Sequence, residues 1–213
     1  MWHWLQSNTA AITAITSLIS VMIWLIYAQL LYQNYRRQRR PKMIISQVGE
    51  RSPKSMCLLS NMSQEALYIE SVQIVVTSKQ DVFCDNVTDF VDQMEDIEGV
   101  RPGNGTCQGP LASGDSLTVG TFSHLIERAL THIQQHPQTS TTREIHSEEI
   151  QAITLRIVAT YGPEKRPVGA ARTFTLDHSH QEGASMAPER VYTAQYNHFY
   201  NRRKVARWLR ATY

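Results

Sequence analysis

Cysteine is scarce in this chain and follows no pattern. Cys57, Cys84 and Cys107 form an odd set without metal-ligand spacing, which argues against a disulfide framework and fits a reducing compartment. Also missing are a glycine-rich phosphate loop, a nucleophile elbow, a CxxC pair and an HExxH helix. No ready-made catalytic constellation is present. Charge is missing too, in one place: residues 10–31 hold no Asp, Glu, Lys or Arg. The hydrophobic content of 42% over 213 residues argues against wholesale disorder and leaves room for one soluble domain beside an anchor.

The uncharged run has the length that about 30 Å of hydrocarbon demands at ~1.5 Å per residue. Basic residues follow it instead of preceding it, and no small-residue cleavage site intervenes, so it does not read as a cleavable signal peptide. Trp2 and Trp4 lie before the run; Tyr27, Tyr32 and Tyr35 lie near its far end, as interfacial aromatics do on a spanning helix. The alternative is a buried core helix. Arg36, Arg37, Arg39, Arg40 and Lys42 follow closely, whereas only His3 and the terminal amine precede. The positive-inside rule then predicts a short exported N-terminus and a cytosolic C-terminal side. Pro41 ends the helix. Within the span Thr9, Thr13, Thr16 and Ser20 share one narrow face, flanked by Ser17. That face suits close contact with another helix; the alternative is hydroxyls bonded to their own i−4 carbonyls.

A formal net charge of +2 conceals segregation. Residues 43–188 hold ten bases against eighteen acids, and residues 189–213 hold six bases and one acid. An acidic domain between two basic segments speaks of association, not of fold. Asn61, Asn86 and Asn104 begin glycosylation sequons, which the expected cytosolic location makes chance occurrences.

Residues 43–177 read mostly as strands. Runs at 43–47 and 56–62 are separated by a turn-rich segment, and 66–77 alternates with a phase change. Leu67 and Ile69 share one parity; Val72, Ile74 and Val76 share the other. That requires a bulge near Glu70–Ser71 or a crossing between sheets. Ile153, Leu155, Ile157, Ala159 and Tyr161 alternate again, and a turn at 162–167 leads to Val168, Ala170, Phe174 and Leu176, a hairpin pattern. Phe122, Leu125, Ile126, Ala129, Leu130 and Ile133 fit an amphipathic helix capped by Thr121 and ended by Pro137. A weaker pattern, Val87, Phe90, Val91, Met94 and Ile97, fits either a short helix or a strand and loop.

The stretches 58–69 and 109–119, each with a polar turn before alternating apolar residues, resemble immunoglobulin or fibronectin-type sandwich domains. The Trp and Cys pair of true immunoglobulin domains is absent. The anchor followed by Tyr35-Arg-Arg-Gln-Arg-Arg-Pro41 is similar to bacterial single-pass inner-membrane proteins of this layout. The resemblance implies an architecture and no activity.

Candidate chemistry is thin. His132 and His136 have i, i+4 spacing, with His124 two turns earlier, but no third metal ligand is specified. His178 and His180 flank a loop serine and read as a polar loop. The run 81–98 has seven carboxylates and no base; it lacks the ligand order of a calcium loop and reads as a solvated acidic surface or a docking site for a basic partner. Tyr192, Tyr196, Phe199 and Tyr200 fall on one helical face, which Arg203, Arg207 and Arg210 continue. Val205, Trp208 and Leu209 fall opposite, and Arg202 and Lys204 add charge. Such a segment suits a membrane surface or an acidic protein surface, the acidic run of this chain included; the alternative is a disordered, solvated tail. Nucleic acid is the weaker match, given the acidic domain.

The expected fold is therefore mainly β with added helices. A transmembrane helix and its basic turn occupy 1–41. An immunoglobulin- or fibronectin-like sandwich with one inserted amphipathic helix occupies 42–180, and a linker with a basic-aromatic helix occupies 181–213. The expected function is a non-enzymatic, membrane-anchored interaction module, an oligomeric scaffold or an accessory subunit of a larger membrane complex. Anionic lipid and a membrane-protein partner or second copy are its expected partners, with no cofactor, small-molecule substrate or nucleic acid. The alternative is a metal-dependent sensor or enzyme built on His124, His132, His136 and residues 81–98.

Overall fold

The structure, a computed structural model, describes residues 8–38, 40–79, 81–88, 106–135, 149–164, 166–179 and 184–210. It divides into two compact units, Met1–Arg40 and Pro41–Tyr213.

In the first unit helix α1 (Thr9–Gln38) runs through the uncharged stretch and on through Arg36 and Arg37. Among the described residues it is the one helix long and apolar enough to cross a membrane, over Thr9–Tyr35. Within its own unit it stands uncovered: Leu18, Trp24 and Leu25 are 65–72% exposed. Thr13 and Thr16 donate their hydroxyl protons to the carbonyls of Thr9 and Ile12, at 2.8 and 2.9 Å. The i−4 bonding expected as the alternative at these two hydroxyls is thus present.

The second unit is mainly β. Strands β1 (Met43–Val48), β2 (Met56–Asn61) and β6 (Ser116–Thr121) make a three-stranded sheet in the order β1-β2-β6. A seven-stranded sheet is built on β3 (Leu67–Ser78), β7 (Ile150–Tyr161) and β8 (Val168–Asp177). On its edges lie β4 (Val82–Asn86), β5 (Gly109–Leu111), β9 (Ser185–Pro188) and β10 (Ala194–Tyr196). Every pairing is antiparallel. Inward side chains of both sheets form one core, including Ile45 and Leu59 from the smaller sheet and Ile74, Leu155 and Phe174 from the larger. The arrangement is sandwich-like.

The phase change in β3 is a bulge. Pairing with β7 jumps from Ile69↔Ala159 to Ser71↔Val158, which lets Leu67 and Ile69, then Val72, Ile74 and Val76, all reach the core at 0% exposure. The opposite edge of β3 changes partner at the same place, from β5 at 67–69 to β4 at 73–77. The hairpin expected across 162–167 joins β7 to β8.

Helix α2 (Phe122–Gln135) forms where the periodicity requires it. Phe122, Leu125, Ile126 and Ala129 are buried, and the His124 amide donates to Thr121 Oγ1 at 3.3 Å, the expected cap. Phe122 meets Phe174 edge to face, with centroids 4.7 Å apart.

Two expectations need correction. Part of the acidic run is not a solvated surface: Phe83 and Asp85 are buried in β4, and Asp85 is 8% exposed. The rest of that run, 89–98, and with it Phe90, Met94 and Ile97, lies outside the described residues. The sheet also does not end at residue 180, because β9 and β10 pair with β8. Strands of four and three residues leave almost no periodicity to read.

The Asn61 sequon is filled by structure. The residue is 0% exposed, and its Nδ2 donates to the carbonyls of Glu65, Leu111 and Ala112 while Oδ1 accepts from the Ser63 amide. A glycan cannot occupy that position in the folded unit. Asn104 lies outside the described residues.

Candidate functional site

The C-terminal segment is tied to the start of its own unit. Thr193, Gln195 and Asn197, at every second position, reach the main chain of Ile45, Met43 and Pro41. The Ile45 amide donates to Thr193 Oγ1 at 3.0 Å, and the Met43 amide to Gln195 Oε1 at 3.1 Å. Gln195 Nε2 and Asn197 Nδ2 donate in turn to the carbonyls of Met43 and Pro41. Side chains thereby complete the edge of β1 that β2 leaves open, satisfying amides that burial would otherwise strand. Arg172 closes the same seam: Nη1 donates to the Ile45 carbonyl, and Nη2 to those of Arg190 and Val191. Loss of water lowers the Arg172 pKa, with the nearby Cys57 opposing the shift. The Cys57 thiol is in turn pushed up, first by burial and then by Cys107.

Beyond this ladder comes α3 (Phe199–Arg210), lying on the outer face of the larger sheet. Period two puts Thr154, Arg156 and Val158 of β7 and Gly169, Ala171 and Thr173 of β8 on that face. Val205, Trp208 and Leu209, at i, i+3 and i+4, form the stripe that meets it. Val205 is 0% and Trp208 6% exposed, against Val158 and Ala171. Gly169 makes the approach possible: a Cβ there would lie 2.8 Å from Val205 Cγ2 and 3.1 Å from Trp208 Cζ3. Gln73 Nε2 donates to the Trp208 carbonyl at 2.7 Å and so satisfies a C-terminal helix carbonyl. Tyr196 packs edge to face on Trp208 at 4.8 Å.

The expected aromatic face divides accordingly. Tyr192 and Tyr196 precede the helix, so they share no helical face with Tyr200. Tyr192 is 65% and Tyr200 88% exposed, while Trp208 is spent within the unit. Arg203, Lys204, Arg207 and Arg210 are exposed. Arg202 is not; it pairs with Glu164 at 2.8 Å, and its Nε donates to the Asn197 carbonyl. The side chains of Arg36, Arg37 and Phe199, and all of Arg39, lie outside the described residues, while Arg40 and Lys42 are exposed.

Between β8, the β9–β10 connection and α3 opens a cleft of about 260 Å³. Arg156, Arg172, Arg190 and Lys204 line it, and Glu189 is its one acid. Tyr192, Tyr196 and Trp208 supply an aromatic wall. The Arg156 guanidinium stacks 5.1 Å from the centre of the Trp208 ring, and Lys204 Nζ lies 5.9 Å from the same centre and 5.3 Å from that of Tyr196. Two cations thus share one indole. At the floor, the hydroxyls of Thr154 and Thr173 are 2.9 Å apart. The sequence reading missed the cleft, because Arg156 and Arg172 lie on different faces of the sheet from each other and far from the tail in sequence.

Among its described residues the histidine helix gathers no metal set. His132 Nδ1 lies 3.1 Å from Asp85 Oδ1, His136 and His180 lie outside the described residues, and His178 Nε2 contacts the Ile150 carbonyl at 2.9 Å. Among the described residues no three His, Cys, Asp or Glu side chains converge. Comparison with protein-family models, with curated proteins and with solved structures gives no match to this chain. What the fold and site define is a class: a mainly β unit joined to an apolar helix of membrane-spanning length.

Proposed function

We propose that the chain is a non-enzymatic, membrane-anchored interaction module, an oligomeric scaffold or accessory subunit of a larger membrane complex. In this reading α1 crosses the membrane and meets another helix through Thr9, Thr13, Thr16, Ser17 and Ser20. Pro41–Tyr213 faces the cytosol, as the basic cluster at 36–42 demands. An immunoglobulin or fibronectin-like type for the sandwich, and a bacterial inner membrane as the location, belong to the same proposal. Because Thr13 and Thr16 spend their protons on their own helix, the helix contact works through small size and close backbone approach.

The observation that carries the reading is the two-sided character of α3. Its apolar stripe is spent on the sheet, while Arg203, Arg207, Arg210 and Tyr200 are exposed and Lys204 leans over the Tyr196 and Trp208 rings. A fixed cationic face of this kind is attracted to anionic lipid or to an acidic protein, at about 1 kcal/mol per base near a charged membrane. The test uses the full chain in nanodiscs of neutral or anionic lipid. Amide exchange across 199–210 should slow in anionic discs, and the slowing should fade with salt. Equal exchange in both discs would remove lipid as the partner of this face. Orientation is read separately through Cys84, which is exposed: an impermeant thiol reagent should label it only after cells are permeabilised.

A further inference from the structure

We propose that the cleft under α3 is a binding site for a phosphate monoester, carried either by a lipid headgroup or by a small soluble molecule. This goes beyond the membrane reading and does not depend on it.

The argument begins with charge. Residues 43–188 carry eight more acids than bases, yet two of their bases, Arg156 and Arg172, join Arg190 and Lys204 of the basic C-terminal segment around a single carboxylate, Glu189. Arg172 contributes charge but few donors, since both its Nη groups are committed to main-chain carbonyls. Arg190 and Lys204 are left to meet a ligand, and Arg156 adds its charge while also holding the Cys84 sulfur. Arg156 and Lys204 each lie against the ring of Trp208, 5.1 and 5.9 Å from its centre. Like charges in one site raise its energy unless an anion joins them. A single carboxylate would leave the site positive. A phosphate monoester brings about −1.5 to −2 charges at neutral pH and three acceptor oxygens, and guanidinium groups match those oxygens in fork geometry.

The rest of the lining fits a group attached to that phosphate. Thr154 and Thr173 put hydroxyls at the floor, and Tyr192 and Tyr196 form a wall against which an alcohol or ring can pack. A volume of about 260 Å³ falls just below the roughly 300–1,000 Å³ of drug-sized ligand sites. It suits a headgroup, not a polymer. The main-chain seam at 190–193 is already fixed to β1 and Arg172, so the walls stand in place before any ligand arrives.

The experiment titrates the purified full chain in neutral detergent, by calorimetry, with four probes. These are glycerol 3-phosphate, short-chain phosphatidic acid, short-chain phosphatidylcholine and sodium sulfate. Saturable binding of glycerol 3-phosphate and phosphatidic acid alike supports a soluble source; binding of phosphatidic acid alone supports a lipid source. Phosphatidylcholine, a diester with a compensating cation, should bind at least tenfold more weakly. Arg190→Gln alters an exposed side chain and should weaken binding about tenfold, and Lys204→Gln likewise. Lys79→Gln, an exposed base outside the cleft and outside the cationic face of α3, should leave it unchanged. Amide exchange over 199–210 checks that α3 remains docked in each variant. The proposal is overturned if no phosphate probe saturates, if sulfate and phosphatidylcholine bind as well, or if a docked Arg190→Gln/Lys204→Gln double variant binds like the parent.

Discussion

Among its described residues the second unit carries two amphipathic helices, and they are used in opposite ways. In α2, Phe122, Leu125, Ile126 and Ala129 sink into the single core shared by both sheets. In α3, Val205 and Trp208 join Val158 and Ala171 in a separate small cluster on the outer face. One helix is part of what makes the sandwich close; the other is an addition to a sheet that is already complete. A helix of the second kind can be lost locally without unfolding the rest. That makes α3 the better platform for a binding site, and α2 the better place to break the fold.

The largest expected effect follows directly. Phe122→Ala removes a fully buried ring that touches Phe174, and should destabilise the whole second unit by about 3–5 kcal/mol. Trp208→Ala removes a comparable volume, but its cost is capped by the free energy of docking α3. Amide exchange separates the two: protection should fall throughout the sheets in the first variant and only across 199–210 in the second. Sheet-wide loss in Trp208→Ala would make α3 part of the core and end the distinction.

Gly169→Ala sharpens the comparison from the sheet side. The new methyl would meet Val205 and Trp208, and also the Ile157 carbonyl at 3.2 Å, which cannot move aside like a side chain. Overpacking of this kind costs about 1–3 kcal/mol. The cost should fall on α3 docking, seen as faster exchange in α3 with α2 unaltered, and phosphate-probe binding should weaken in parallel.

The same contrast explains what the sequence disclosed. Helix α2 was legible because one unbroken stripe, 122 to 130, matches a single buried face. The β7–β8 hairpin was legible because both strands alternate over several residues, and even the bulge at Glu70 left its mark as a change of parity. The C-terminal segment mixes a three-residue strand, a turn and a helix within 194–210. A helical projection across all of it therefore put Tyr192 and Tyr196 on a face that does not exist. The stripe Val205, Trp208, Leu209 was visible but looked like the wrong side of a tail, since nothing in sequence announces that Gly169 leaves a seat for it. The polar alternation Thr193, Gln195, Asn197 was the missed signal. Three amide- or hydroxyl-bearing side chains at period two are what a sheet edge needs when its partner is a side-chain ladder.

The smallest effects concern the polar contact that pins each helix. In α3, Arg202 is 13% exposed and Glu164 32%, at 2.8 Å, and Arg202 also holds the Asn197 carbonyl just before the helix begins. In α2, His132 is 54% exposed, and the buried Asp85 it meets also accepts the Asn86 amide. Arg202→Gln cuts an ion pair and weakens a main-chain contact at the junction of ladder and helix, so about 1 kcal/mol of α3 docking should go. His132→Gln keeps a donor in reach of Asp85, and water can replace what is lost at a half-exposed position; about 0.5 kcal/mol or less is expected. Salt tells the two apart further, because screening acts on the pair of full charges. Parent and Arg202→Gln should converge in α3 exchange rates as salt rises, whereas the small His132→Gln difference should stay flat. A salt-independent Arg202→Gln defect would mean that the Asn197 carbonyl, and not the Glu164 carboxylate, is what Arg202 is there to hold.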